Sequence, residues 1–389
     1  MPLSRRHFLM SSLALPALAQ KKGQKKKVEA LRPNVVLLMA DNVPDWVLGI
    51  YGSKDIQTPN IDRLAQMGTR FHDHITGAPA PGPGRWTLLM GRTTMQGGNG
   101  NTLDKVLAGA GYSAAWAGPA EVLKVLEGQG AGKPFFLGVT LASPRPPYTG
   151  TEQKFVDLYA SARFENFARD PTAANAAAGK EMLADRTSSL RKYAAALSAM
   201  DAEVGVVTAA LYQRKLADNT LVVFTSTCGA LLGRHGLWAA GDASEPPNMY
   251  EESVSTPMIW SWPGHVPAFG ERPEVVSSCD FVPTICDLAA IEPADNLSGR
   301  SYLLLATGKP LPKKEKWRTT VFSQLGNTAM ARADRYKLVE RDGGKGPSEL
   351  YDLVADPVEK ANQYDNPQFM TVRTALAGEL HAWQQKYSA

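Results

Sequence analysis

Three uninterrupted apolar segments constrain the fold of this chain more than any other feature. Continuous apolar runs of this length predict strands that are buried on both faces, as in a parallel sheet. Helices and one more short strand are predicted between them, and this alternation predicts an α/β fold with a large, mainly parallel sheet flanked by helices. The apolar runs are 34–40, 135–141 and 221–226, the helices 58–65, 103–110 and 173–216, and the short strand 112–117.

The pattern changes after residue 264. A helix is predicted at 280–288, where the main domain closes. Beyond it, short antiparallel strands and a terminal helix indicate a small α+β unit. We expect an α/β domain over residues 31–309 and a C-terminal subdomain over 310–389, with strands at 319–324, 335–340 and 348–352 and a helix at 369–387.

The N-terminal segment predicts export. Residues 4–10 read Ser-Arg-Arg-His-Phe-Leu-Met, which matches the twin-arginine signal of bacteria, and Ala-Leu-Ala at 17–19 is a plausible cleavage site. The apolar stretch between the twin arginines and this cleavage site is shorter than the roughly 20 residues of a membrane-spanning helix, so a membrane anchor is the weaker alternative. We predict a signal peptide at 1–19, a lysine-rich linker at 20–30, no transmembrane segment after cleavage, and a periplasmic or extracellular protein.

Net charge, cysteines and histidines constrain the function of the chain less than its strand pattern constrains the fold. The net charge of +4 derives from this N-terminal segment, because without its seven basic residues 35 basic side chains face 38 acidic ones. A nucleic-acid partner is therefore not expected. The three cysteines allow at most one disulfide, whose pairing stays open, as does the oligomeric state. His72 and His74 form a candidate metal pair, but two exposed histidines on a strand are the simpler interpretation.

One segment identifies a family. Residues 81–92 read Pro-Gly-Pro-Gly-Arg-Trp-Thr-Leu-Leu-Met-Gly-Arg. This resembles the signature of the type I sulfatases, Cys-x-Pro-Ser-Arg followed by Leu-Thr-Gly-Arg, and further matches continue in order to the end of the chain. The resemblance implies the alkaline phosphatase-like fold and, in active members, sulfuric ester hydrolysis by a formylglycine made from the cysteine. Pro81 stands at that cysteine, and a proline ring offers no nucleophile. The other matching segments are 31–41, 58–62, 68–71, 200–205, 218–226, 233–238 and 349–357.

The resemblance also implies a calcium site, which is degenerate here. The family's first Asp-Asp pair is Asp41 and Asn42, and its second pair, Asp-Asn or Asp-His, is Thr227 and Cys228. An Asn carbonyl still suits Ca²⁺, but a hydroxyl is a weak ligand and a thiol is too soft. One carboxylate remains where Ca²⁺ takes about six to eight oxygens. We therefore expect neither a tight calcium site nor another cofactor.

Most of the family's basic groups are replaced as well. Pro119 and Glu121 occupy the positions of a lysine and a histidine that touch sulfate, and Ala240 replaces another lysine. Arg145 stands where a histidine is expected. It is always protonated and hence a poor general acid, although it can still bind an anion. Arg85 alone is retained from the signature, where it supports the nucleophile and the metal ligands.

The surviving residues have structural interpretations beside functional ones. Asp41 follows a strand, where a carboxylate often caps a helix. Cys228 and His235 are a conceivable thiol and base, against a buried structural cysteine and a structural histidine in a loop. Arg85 and Arg145 together are a candidate site for a sulfate or carboxylate anion.

Taken together, the replacements predict an exported, catalytically impaired sulfatase homologue, a pseudoenzyme. Two alternatives stay open. One is an active sulfate or phosphate ester hydrolase with a divergent site, which the family favours although fold does not imply function. The other is a non-catalytic envelope protein that binds an anion or a partner. The sequence identifies no substrate.

Overall fold

A computed structural model describes residues 32–98, 100–129, 132–142 and 144–388. The predicted signal peptide and linker lie outside the described residues. The strands are β1 (Asn34–Ala40), β2 (Thr69–Phe71), β3 (His74–Ile75), β4 (Ser113–Ala117), β5 (Phe135–Thr140), β6 (Thr220–Ser226), β7 (Met258–Ser261), β8 (Gly270–Arg272), β9 (Val276–Ser277), β10 (Thr320–Leu325), β11 (Thr328–Ala333), β12 (Tyr336–Arg341) and β13 (Glu349–Asp352). The α-helices are α1 (Pro59–Gln66), α2 (Pro81–Met90), α3 (Leu103–Gly109), α4 (Val122–Glu127), α5 (Gln153–Leu158), α6 (Lys180–Ala184), α7 (Arg186–Gln213), α8 (Glu251–Val254), α9 (Phe281–Leu288), α10 (Leu303–Ala306) and α11 (Met370–Tyr387).

The main sheet has seven strands in the order β4-β5-β1-β6-β7-β2-β8. The first four are parallel, β7 runs antiparallel to both of its neighbours, and β8 is parallel to β2. The three apolar runs become β5, β1 and β6 at its centre. Alternate residues of β1 face two hydrophobic clusters on opposite sides of the sheet, and both clusters include helices. The predicted α/β fold with a mainly parallel sheet is confirmed.

The long helix α7 covers one face of this sheet. It begins at Asp185, whose side chain accepts a hydrogen bond from the Ser188 amide over 3.1 Å. Its length and apolar composition would suffice to cross a bilayer. Tyr193, Leu197 and Val204 are nevertheless fully buried in the sheet-facing core, which is the packing of a core helix.

The single helix predicted over residues 173–216 was wrong in extent and continuity: it begins later, is interrupted at Asp185 between α6 and α7, and ends at Gln213. Residues 173–178 are not helical. Their backbone instead bonds a neighbouring loop: the Ala177 amide donates to the Ala243 carbonyl over 2.7 Å, and the Glu245 amide to the Asn175 carbonyl over 2.9 Å. Tertiary pairing overrides the helical propensity of alanine here.

The C-terminal residues form a four-stranded antiparallel sheet in the order β10-β11-β12-β13, with α11 packed on β11 and β12. The sequence predicted three of these strands and missed β11. Its sequence, Thr-Ala-Met-Ala-Arg-Ala, is poor in the residues typical of strands. A two-residue turn with Gly326 at φ 56° joins it to β10.

One smaller expectation was wrong, and the state of the cysteines, which the sequence left open, is defined. His74 is fully buried rather than exposed, and its Nδ1 lies 2.7 Å from Thr256 Oγ1. The cysteines Cys228, Cys279 and Cys286 are all buried free thiols.

Candidate functional site

The candidate site lies at the carboxyl end of the central sheet, where the parallel strands β1 and β6 end side by side in register. Asp41 and Thr227 follow these strands and are buried, and Thr227 Oγ1 donates a hydrogen bond to Asp41 Oδ1. One residue further along each segment, the Cys228 thiol donates to Asn42 Oδ1 over 3.5 Å. The structure thus brings the four expected ligand positions together.

Two arginines converge on Asp41. Arg145, in the loop after β5, forms an ion pair through Nη2 with Asp41 Oδ2, and Arg85 Nη2, on α2, lies 3.8 Å from the same oxygen. The Asp41 side chain is only 2% exposed, whereas the side chains of Arg85 and Arg145 are 38% and 54% exposed. A buried carboxylate requires such partners to remain charged. The remaining carboxylate of the site is therefore already neutralised by cations of the protein itself.

The position of Arg85 depends on an unusually close packing of α2. Pro81 is the first residue of this helix, where a missing N–H is tolerated. A Cβ atom on Gly84 would lie 2.1 Å from the carbonyl oxygen of Thr227. That oxygen also accepts a hydrogen bond from Thr76 Oγ1 over 2.7 Å. Only glycine lets α2 lie so close to Thr227, and this contact places the neighbouring Arg85 beside Asp41.

Cys228 lacks the environment of a reactive thiol. It is fully buried, and burial raises its pKa to about 12, with a further contribution from the Asp242 carboxylate. The thiol form therefore dominates at neutral pH, and it is the thiolate that attacks.

His235 contacts a different set of residues. Its ring stacks on Tyr250 with 3.6 Å between the centroids, its Nε2 lies 3.7 Å from Glu252, and its amide donates to Asp170 over 2.7 Å. Burial disfavours the charged form of Glu252, but the nearby His235 ring and the Arg234 guanidinium, which donates a hydrogen bond to it over 2.7 Å, outweigh burial and lower the pKa of Glu252 to about 2. His235 is thus a structural residue of a buried ion-pair cluster rather than a base for Cys228.

The other replaced positions also have local roles. Glu121 accepts a hydrogen bond from the Gly118 amide over 3.2 Å, and the carbonyl of buried Ala240 accepts one from Asn248 Nδ2 over 3.0 Å. Pro119 and Arg145 line a cavity of about 480 Å³. Arg145 is the one residue of the Asp41 group among the described lining residues of this cavity.

The sequence analysis did not identify two residues that lie near the site. Tyr193, on α7, is fully buried and donates through its hydroxyl to the Asn42 carbonyl over 2.9 Å. Asp242 lies in a short 3₁₀ turn, Gly241–Ala243, close enough to Cys228 to influence its pKa. Neither residue belongs to a recognisable motif. From the sequence, Tyr193 is an ordinary core aromatic residue and Asp242 an ordinary loop carboxylate.

The donor set does not fit Ca²⁺. Asp41 is shared between Thr227 and two guanidinium groups, and the Asn42 amide oxygen accepts a hydrogen bond from the Cys228 thiol. A divalent cation would have to approach beside Arg145, which repels it. Within the described residues, no three His, Cys, Asp or Glu side chains are grouped to hold a metal.

The family follows from comparisons with known proteins. The Sulfatase family model matches residues 33–124 and 119–291, and the model for the C-terminal part of N-sulphoglucosamine sulphohydrolase matches 245–386. An N-acetylglucosamine-6-O-sulfatase of Bacteroides thetaiotaomicron is 22% identical over 97% of this chain and 91% of its own length. Human arylsulfatase A is 28% identical, covering 84% of this chain and 77% of its own length. A solved structure of a putative sulfatase from Bacteroides fragilis superposes with a TM-score of 0.79 at 21% identity, over 94% of this chain and 98% of that one. This chain belongs to the sulfatase family, within the alkaline phosphatase-like superfamily.

Proposed function

We propose that this chain is an exported, catalytically impaired member of the sulfatase family that keeps an anion-binding site. The observation that carries the proposal is the ion pair between Arg145 and Asp41. Hydrolysis of a sulfate ester in this family requires a cation that polarises the nucleophile and offsets the charge of the ester. Here the Arg145 guanidinium is paired with the carboxylate that would hold that cation. Unlike a metal ion, a guanidinium offers no coordination site to an oxygen nucleophile.

The residues around this pair support the same conclusion. Pro81 supplies no nucleophilic atom at the first turn of α2. Cys228 is protonated at neutral pH because its burial raises its pKa to about 12. His235 is engaged with Tyr250 and Glu252. These features support the proposal that the nucleophile, the metal site and the proton donor are lost together, unlike a site with a single altered residue.

The anion site is proposed at Arg85 and Arg145. Two guanidinium groups face the single carboxylate of Asp41, and within the described chain Arg85 makes no hydrogen bond, only the 3.8 Å ion pair. Guanidinium groups bind sulfate or carboxylate through paired N–H donors. The cavity of about 480 Å³ beside Arg145 gives such an anion access.

Turnover tests the loss of activity. The purified protein is incubated with aryl sulfate and aryl phosphate esters, with and without Ca²⁺, next to a heat-denatured sample and an active sulfatase. We expect no turnover above the denatured sample. Clear turnover would support the alternative, an ester hydrolase with a divergent site, which the names of its relatives favour.

Thermal denaturation tests the binding sites, because a ligand that binds only the folded state raises the melting temperature. We expect no shift with Ca²⁺ and a small shift with sulfate that Arg85→Ala abolishes. A calcium-dependent shift would contradict the proposed loss of the metal site.

Export is proposed from the twin-arginine pattern at residues 4–10. Replacing Arg5 and Arg6 by lysine should retain the protein in the cytoplasm of a bacterial host, whereas the unaltered chain should appear in the periplasm or medium. Recovery of the unaltered chain with the membrane would instead indicate an uncleaved anchor.

A further inference from the structure

The C-terminal sheet packs against the rest of the protein along a seam that contains a buried group of charged side chains. We call this group the seam cluster: Asp73 between β2 and β3, Glu251 at the start of α8, Arg332 on β11, Lys337 on β12, and Glu359 in the segment after β13. Lys337 is 0% exposed and Glu359 is 2% exposed. Charged side chains are buried this completely only when partners within the protein compensate them.

Lys337 lies at the centre of the seam cluster. Its Nζ donates hydrogen bonds to the Met249 carbonyl over 2.7 Å and to Glu251 Oε1 over 3.0 Å, and it forms an ion pair with Glu359. The Glu359 carboxyl group also accepts a hydrogen bond from the Glu251 amide over 2.7 Å. Met249 and Glu251 precede the C-terminal sheet in the chain, whereas Lys337 belongs to it. These bonds therefore hold the two sides of the seam together.

Arg332 adds the second cation of the cluster. Its Nη2 lies 2.7 Å from Asp73 Oδ1 and 3.3 Å from Glu251 Oε2, so Glu251 is shared between Arg332 and Lys337. Three carboxyl groups of the described chain thus meet two cations, and the fully ionised cluster would carry an excess negative charge. Burial makes such an excess unfavourable, and a carboxyl group in this position takes up a proton instead.

Glu359 is the carboxyl group best placed to hold that proton. Burial raises its pKa to about 8, with a contribution from the Glu251 carboxylate that opposes the effect of Lys337. Burial also disfavours the charge of Glu251, but Lys337 and Arg332 outweigh it and lower the pKa of Glu251. Burial raises the pKa of Asp73 as well, yet its side chain is 33% exposed and water solvates it in part.

The side chains around the seam cluster do not supply a compensating cation. Asp45 adds a further carboxyl group, whose pKa burial raises to about 6. Each lysine or arginine that faces the cluster from a neighbouring segment is already paired with another carboxylate. The charged and titratable side chains around the cluster are Asp45, His72, Asp170, Arg234, His235, Tyr250, Glu252, Arg341, Glu349, Tyr351 and Lys360.

We propose that a proton on Glu359 fastens the C-terminal sheet to the rest of the protein, and that loss of this proton loosens the seam. When the seam opens, water solvates Glu359 and its pKa returns to the ordinary value of 4.5. The closed seam is therefore most stable below pH 4.5, weakens as the pH rises, and reaches a constant lower stability above about pH 8.

The packing of the seam explains why one proton has this effect. The apolar cluster across the seam is far smaller than the two clusters that flank the main sheet. Its charge balance therefore contributes strongly to the closed state, and the seam can open while the main sheet stays folded. The buried members of the apolar cluster are Ile75, Met249, Val254, Val275, Val321, Met330 and Val339.

Hydrogen–deuterium exchange of the full protein at about pH 5.5 and about pH 8.5, corrected for the intrinsic exchange rate, tests the seam. We expect the protection of β12 and of residues 353–362 to fall at least about tenfold at the higher pH, since one pH unit changes the opening equilibrium by up to about tenfold. Protection of β1 and β6 should change less. Glu359→Gln, with a neutral side chain of the same shape, should lack this fall.

Glu379→Gln is the matched control, because it removes an exposed carboxylate of α11 outside the seam cluster. It should show the same fall in protection as the unaltered protein. Asp45, His74 and the other titrating groups are present in all three proteins and cancel in the comparison. Thermal denaturation verifies that each variant is folded.

Infrared spectroscopy of the unaltered protein gives a second measurement that needs no variant. We expect the absorption of a protonated carboxyl group that ionises between about pH 7 and about pH 9. Three results would overturn the proposal. They are equal corrected protection at both pH values in the unaltered protein, an undiminished fall in folded Glu359→Gln, and the absence of a carboxyl group that ionises in this range.

Discussion

Arg145 holds the carboxylate of Asp41 in an ion pair at the carboxyl end of the central strand β1. Asp41 is the last acidic residue of the family's metal site in this chain, and Arg145 stands where the family has a histidine. Arg145 thus places a positive charge directly beside this carboxylate. The buried carboxylate of Asp41 has cationic partners within the protein itself, which explains how it remains charged there.

Removal of this carboxylate should strengthen anion binding. Asp41→Asn leaves Arg85 and Arg145 without their internal partner, so we expect tighter sulfate binding and a larger sulfate-induced rise in melting temperature. Isothermal titration with sodium sulfate measures the affinity. The double variant Asp41→Asn with Arg85→Ala should lose the gain. Equal affinity in Asp41→Asn and the unaltered protein would show that the arginines are not an anion site.

Restoring the cysteine should not restore catalysis. Pro81→Cys returns the family's signature residue, but the Arg145 ion pair and the absence of calcium ligands at Thr227 and Cys228 remain. We expect no aryl sulfatase activity when this variant is produced with a formylglycine-generating enzyme, even if mass spectrometry shows the conversion. Measurable turnover by the converted variant would mean that the nucleophile was the only missing element.

The packing of α2 gives a stability prediction with an internal control. In Gly84→Ala the new methyl group overlaps the Thr227 carbonyl oxygen, so we expect a loss of about 2–3 kcal/mol in the free energy of unfolding. A Cβ atom on Gly378, an exposed position in the middle of α11, would meet open space, so Gly378→Ala should be neutral or stabilising by up to about 1 kcal/mol. Urea denaturation measures both. Similar values for the two variants would refute the close contact.

His74 should make the protein less stable in acid. Burial lowers its pKa from 6.5 to about 3, so the unfolded state binds a proton that the folded state excludes. Stability from this residue is therefore complete above pH 6.5 and declines as the pH falls toward 3. The upper limit of this decline is roughly 1.4 kcal/mol per pH unit.

The measurement compares the unaltered protein with His74→Asn by urea denaturation at about pH 7.5 and about pH 5. The difference in stability between the two proteins should shrink at the lower pH, because the variant cannot take up this proton. Asp45 acts in the opposite direction, since burial raises its pKa to about 6, but it is present in both proteins and cancels in the comparison. An unchanged difference would show that His74 does not titrate in this way.

The sheet was predictable from sequence where hydrophobic burial alone decides the structure. β1, β5 and β6 are apolar on both faces, and that pattern leaves little alternative to central strands. β11 and the segment 173–178 were not predictable, because pairing with distant backbone determines them against local propensity. His74 was misjudged for a related reason: a two-residue strand gives no signal of its depth in the core.

The sequence predicted those site residues that stand at positions of the family's motifs. The resemblance supplied Asp41, Asn42, Thr227 and Cys228, which the register of β1 and β6 brings together. It could not show that Arg145 reaches Asp41, since that contact depends on the course of a loop. Tyr193 could not be predicted from the sequence either, because its contact with the site is a hydrogen bond to the backbone carbonyl of Asn42 and depends on the tertiary structure.

The contact between Gly84 and Thr227 also limits which side chains this position of α2 can accept. The family's serine at this position carries a Cβ atom, which would overlap the Thr227 carbonyl oxygen in the present arrangement. Reintroducing it requires α2 to withdraw, and Arg85 would move with the helix. The signature serine therefore cannot return at this position by a single substitution without a displacement of the helix that carries Arg85.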